Sequence, residues 1–70
     1  MKCRSYIEWE NGDILLIIKT YDPKDDAYIR REYEQHPGCE ANLRFNDGDP
    51  QWYIRILDPK LKLKARLTFG

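Results

Sequence analysis

Apolar and polar positions alternate along most of this chain. Ile7 and Trp9 alternate with Tyr6, Glu8 and Glu10 in the first segment; Cys39, Ala41, Leu43 and Phe45 alternate with Glu40, Asn42, Arg44 and Asn46 in a later one. Trp52, Ile54 and Ile56 then alternate with Tyr53, Arg55 and Leu57, and Leu61, Leu63, Ala65, Leu67 and Phe69 with Lys60, Lys62, Lys64, Arg66 and Thr68. A period of two is the signature of a strand with one dry face and one wet face. One segment breaks the rule: Ile14-Leu15-Leu16-Ile17-Ile18 is apolar at every position, so it predicts a strand that is apolar on both faces.

Turn and cap residues divide these segments. Asn11-Gly12 predicts a type I′ hairpin with a two-residue loop, which sets Trp9 opposite Ile14, Ile7 opposite Leu16 and Ser5 opposite Ile18. One face then collects Cys3, Ile7, Trp9, Ile14, Leu16 and Ile18. Asp22 is an N-cap, Pro23 suits the first helical position, and Pro37-Gly38 stops the helix. Pro50 lacks a ladder donor, so the turn at Asp47-Gly48-Asp49-Pro50 is expected to be a four-residue loop with Phe45 opposite Trp52. Asp58-Pro59-Lys60 reads as the last turn.

The expected architecture is a single α+β domain over residues 1–70, ordered ββαβββ: a hairpin over 3–21, a helix over 23–36 and a three-strand meander over 39–69. The helix offers only Ile29 and Tyr33, with Ala27 and Tyr28 at its margin, against an apolar face fed by five strands. A strongly curved, mainly antiparallel five-stranded sheet, a partial barrel, is therefore expected to fill its own concave side.

The convex side keeps Leu15 and Ile17, and full burial of each would stabilise by roughly 1.5–3 kcal/mol. Either the helix covers them or a second molecule does, and the reading favours the second molecule. Tyr6, Tyr21, Tyr53 and Leu57 have the parity to surround Leu15 and Ile17, giving an apolar and aromatic patch of the kind that forms protein interfaces.

Composition narrows the function classes. In 70 residues the 12 basic and 12 acidic side chains cancel, yet residues 1–43 carry a net −3 and residues 44–70 a net +3. Such two-sidedness would orient a partner. No stretch approaches the ~20 apolar residues of a membrane span and the start lacks a signal-peptide core, so a cytoplasmic protein is expected. Cys3 and Cys39 are expected to be free thiols acting as small apolar residues, with a disulfide the lesser alternative.

Candidate chemistry is sparse. His36 and Cys39 stand in His-x-x-Cys spacing with Cys3 as a conceivable third ligand, but a structural zinc site needs four ligands in paired spacings, so no metal and no cofactor are expected. Ser5 is the only serine, no carboxylate pair is marked out, and no Gly-rich phosphate loop occurs. The expected function is that of a small non-enzymatic protein-interaction module, an inhibitor or an accessory or regulatory subunit, binding a protein partner or itself. The alternative is nucleic-acid binding through Arg44, Arg55, Lys60, Lys62, Lys64 and Arg66, whose every-second-residue repeat would project from one strand face. A small ribonuclease using Tyr53, Arg55, Lys62, Lys64 and Arg66 is a distant third reading.

Overall fold

A computed structural model describes the backbone of residues 2–70 and the side chains from Ser5 onward. The chain is a small α+β fold in which one antiparallel sheet of four strands carries two helices. The strands are β1 (Lys2–Glu8), β2 (Ile14–Lys19), β3 (Cys39–Asn46) and β4 (Asp49–Ile56), in the spatial order β1-β2-β4-β3. Helix α1 (Pro23–Ile29) continues as a π-helical turn over Arg30–Glu34, and helix α2 (Pro59–Phe69) follows β4. The sheet is open, with β1 and β3 as its edges.

The expected fifth strand is a helix. Asp58 caps it by accepting from the Lys60 backbone N–H at 2.7 Å, and Pro59 occupies its first turn. The same tripeptide, Asp-Pro-Lys, opens α1, where Asp22 accepts from the Lys24 N–H at 2.9 Å. Leu, Lys, Ala and Arg are all good helix formers. Leu61 and Ala65 are four apart and buried, so the alternating pattern also contains a helical stripe. The alternation has a residue: Leu63 and Leu67 are 56% and 80% exposed on the outer side of α2.

With a second helix to cover the sheet, no curling into a partial barrel is needed. Ile14, Leu16 and Ile18 of β2, Trp52, Ile54 and Ile56 of β4 and Cys39 of β3 form one core with Ile29, Tyr33, Leu61 and Ala65 from the helical segments. Both helices therefore pack on the same side of the sheet.

Both hairpins differ from expectation through their turns. Trp9 N–H donates to Asp13 C=O, and Gly12 N–H to Trp9 C=O, each at 2.9 Å. Gly12 has φ +90°, while Asp47 is the one non-glycine with positive φ among the described residues. Asn11 is thus outside the left-handed region, and the loop is a three-residue turn closed by a left-handed glycine. One extra loop residue shifts the register: Ile7 faces Leu15, Tyr6 faces Leu16 and Glu8 faces Ile14. A one-residue slip exchanges the faces of a strand, so Tyr6 goes to the helix side and Ile7 to the other. The expected place of Cys3 on the core face concerns a side chain outside those described.

At the second hairpin Asp47 (φ 53°) and Gly48 (φ 84°) make the two-residue type I′ loop, closed by Asn46 opposite Asp49. Phe45 faces Pro50 and Leu43 faces Trp52. Ladder pairs alternate between bonded and non-bonded, and Pro50 falls at a non-bonded position against β3. Its missing N–H costs nothing there, and Phe45 is left 69% exposed at the end of the sheet.

Candidate protein-interaction face

The side of the sheet away from the helices is set by the ladder. Its first row across β1, β2, β4 and β3 is Ile7, Leu15, Arg55 and Glu40; its second is Ser5, Ile17, Tyr53 and Asn42; its third is Lys19, Gln51 and Arg44 on β2, β4 and β3. The first two rows put Ile7, Leu15, Ile17 and Tyr53 side by side at the centre, with charged and amide side chains along β3. Leu15, Ile17 and Tyr53 are half-buried by their neighbours, and Ile7 is exposed. Among the described residues no helix covers this face.

A shallow groove opens at the first-row end, lined by Trp9, Asn11, Asp13, Leu15 and Arg55. Trp9 is 48% exposed. Arg55 Nη2 donates to Asp13 Oδ2 at 3.3 Å, and Lys62 Nζ lies 3.6 Å from Asp13 Oδ1. The hydrogen bond from Arg55, assisted by the charge of Lys62, holds the Asp13 carboxyl below its ordinary range. At the opposite end the exposed Tyr21 donates its hydroxyl to Asp49 Oδ2 at 3.1 Å, and the Lys19 ammonium sits 5.7 Å from the Tyr21 ring centre. Gln51, between Lys19 and Arg44, is buried with its Oε1 unbonded.

Of the six residues expected at an interface, Leu15, Ile17 and Tyr53 are brought together. Tyr21 and Leu57 lie just beyond the strand ends at the border of the face, both exposed. Tyr6 is on the other side, where its hydroxyl donates to Glu8 Oε1 at 2.7 Å; burial and the Glu8 carboxylate raise its pKa. Ile7 and Trp9 were missed because their placement depends on the turn register, and the Asn-Gly pair signals both loop types.

The basic residues of the alternative reading do not form a stripe. On a helix Lys60 and Lys64 share one side and Lys62 and Arg66 another. Three of the four meet carboxylates: Lys62 meets Asp13, Lys64 Nζ meets Glu32 Oε2 at 2.8 Å, and Arg66 donates to Glu8 through Nε and Nη2 at 3.0 and 3.1 Å. These hydrogen bonds lower the pKa values of Glu32 and Glu8. The charge asymmetry of the sequence is thus spent inside the molecule, where a basic α2 is stitched to acidic residues of the N-terminal half. Of the residues of the ribonuclease reading, Tyr53 and Arg55 share the open face and Arg55 and Lys62 meet at Asp13, while Lys64 and Arg66 are held by Glu32 and Glu8 on the helix side, so the set is brought together only in part.

His36 Nδ1 accepts from the Gly38 N–H at 2.9 Å, and Cys39 Sγ donates to the Tyr33 C=O at 2.6 Å. Burial raises the Cys39 thiol pKa. Cys3 and Cys39 lie on opposite edge strands with two strands between them, and Cys3 is in register with Leu43, four residues from Cys39, so their backbones are more than about 14 Å apart, beyond the ~7 Å reach of a disulfide. Cys39 is a free thiol. Among the described residues no group of three or more His, Cys, Asp and Glu side chains is gathered to hold a metal ion. Among the described residues no helix is long and apolar enough to cross a membrane. Comparison with known proteins returns no matching family model, no matching curated protein and no matching solved structure.

Proposed function

We propose that this chain is a small, non-enzymatic protein-interaction module, an inhibitor or an accessory or regulatory subunit, which binds a protein partner through its open sheet face. The observation that carries the reading is the placement of both helices on one side of a sheet whose other side presents Ile7, Leu15, Ile17 and Tyr53 as a contiguous cluster. An apolar and aromatic centre inside a polar and charged rim is the usual anatomy of an interface. Trp9, Tyr21 and Leu57 extend the centre at its ends. Nucleic-acid binding finds less support, since Lys62, Lys64 and Arg66 are already engaged by Asp13, Glu32 and Glu8.

The test is affinity capture with three forms of the chain: wild type, Ile17→Glu on the open face and Leu63→Glu on the outside of α2. Binders retained by wild type and Leu63→Glu but lost with Ile17→Glu support the reading. Binding that is indifferent to Ile17→Glu, in a variant that remains folded, refutes it.

A further inference from the structure

Strand β3 is a regular eight-residue edge strand, Cys39–Asn46, paired with β4 at every position without a bulge. It contains neither lysine nor proline, the residues that usually blunt an edge. Its ladder fixes which backbone groups are free. The type I′ turn closes on a bonded pair, Asn46 and Asp49, so Arg44, Asn42 and Glu40 also direct their N–H and C=O groups at β4. Gly38 continues the alternation, with its C=O accepting from the Leu57 N–H at 2.9 Å. Ala41, Leu43 and Phe45 therefore direct both backbone groups outward, and Cys39 its C=O, since its N–H is given to His36 C=O at 3.3 Å.

The sequence of this edge complements itself. About Asn42, Glu40 mirrors Arg44, Ala41 mirrors Leu43 and Cys39 mirrors Phe45. We infer that β3 is a homodimerisation edge: a second copy of the chain pairs antiparallel to it, with a two-fold axis at Asn42.

In that register Asn42 faces its own copy at a non-bonded position, and each Ala41 forms a bonded pair with the opposite Leu43. The outward groups are thus the ones the pairing uses. Glu40 of each copy stands opposite Arg44 of the other, and neither has an ion pair among the described residues of its own chain. Phe45, largely exposed in the single chain, comes to lie opposite the partner's Cys39. Shifting the axis to Ala41 or Leu43 would set Glu40 or Arg44 against Asn42 and lose both opposite-charge pairs, so side-chain chemistry selects one register. The two-fold is perpendicular to the sheet, giving eight continuous strands with all helices on one side and two open faces joined on the other. This dimer stands apart from the open-face reading, which holds for one copy or two.

Sedimentation equilibrium of the full chain, from micromolar to millimolar concentration, tests the inference on wild type, Arg44→Glu, and the swap Glu40→Arg with Arg44→Glu. Wild type is expected to approach twice its 8.4 kDa mass. Arg44→Glu sets carboxylates opposite one another at two symmetric places and weakens association by about tenfold or more. The double swap restores the opposite-charge pairs and the dimer, which no general surface effect would do. A monomeric wild type at millimolar concentration overturns the inference while leaving the open face to a different protein. So does a dimer that Arg44→Glu leaves unchanged, or one abolished by Ile17→Glu alone, which would put self-association on the open face.

Discussion

The indole N–H of Trp52 donates to Asp26 Oδ1 at 2.8 Å, and through this bond helix α1 is tied to β4. The carboxylate also accepts from Arg30 Nε at 2.8 Å, and the guanidinium of Arg30 lies 5.1 Å from the centre of the same indole. Trp52 is fully buried, so its N–H has nowhere else to turn. Asp26→Ala is expected to lower the unfolding free energy by about 1–3 kcal/mol in urea titrations, because a buried donor is left unmatched.

The same carboxylate gives the stability a pH dependence. The Arg30 hydrogen bond, followed by the bond from Trp52, holds Asp26 below its ordinary value of 3.8. A group with a depressed folded-state pKa stabilises above the unfolded value and loses that contribution as pH falls through the folded one. Wild type should therefore lose stability below about pH 4 more steeply than Asp26→Ala. Glu8, Asp13 and Glu32 are depressed in the same direction by Arg66, Arg55 and Lys64 respectively. They remain in both proteins, so the difference between the two curves isolates Asp26.

Two glycines should respond unequally to alanine. A Cβ on Gly48 meets nothing within 4 Å, and its cost is the left-handed backbone alone, about 1 kcal/mol. A Cβ on Gly38 would lie 2.3 Å from the Asp58 Cβ, at the point where Gly38 C=O accepts from both Leu57 and Asp58. Gly38→Ala must push the cap of α2 away from β3, and the loss is expected to be about 3 kcal/mol. Thermal unfolding of the two variants, followed by circular dichroism, gives the comparison.

Two ion pairs of α2, Lys64–Glu32 and Arg66–Glu8, are partly exposed to solvent and so open to screening, while Lys62–Asp13 is more enclosed. The thermal midpoint of wild type should fall as salt rises from low concentration to about 1 M. In the variant Lys62→Ala, Lys64→Ala and Arg66→Ala together, the midpoint should start lower and depend less on salt. An unchanged salt dependence would mean that Asp13, Glu32 and Glu8 are not held by these residues in solution.

What was legible in the sequence depended on whether a residue pattern admitted one period or two. The apolar run over residues 14–18 admits a two-sided strand and little else, and β2 spans Ile14–Lys19. The cap Asp22-Pro23 marked α1 unambiguously because the residues after it do not alternate. Residues 60–69 alternate strictly, and that outweighed an identical Asp-Pro-Lys start at residue 58; yet Leu61 and Ala65 fit a helix just as well. Turn chemistry limited the rest. Gly12 serves a three-residue loop as readily as a two-residue one, and this single residue of difference moved Tyr6 off the open face and Ile7 onto it. Leu15, Ile17 and Tyr53 were legible because they sit on the two central strands, whose parity no turn could reverse.

Adjacent residues on β2 give the most direct measurement. Leu16 points into the core beneath the helices, and Leu15 points to the open face. If that second face is held for another molecule and contributes little to folding, Leu16→Ala should lower the unfolding free energy of the isolated chain by about 2–5 kcal/mol and Leu15→Ala by only about 1 kcal/mol. Equal losses in urea titrations of the two variants would mean that Leu15 is locked in a second core, and would contradict an open face.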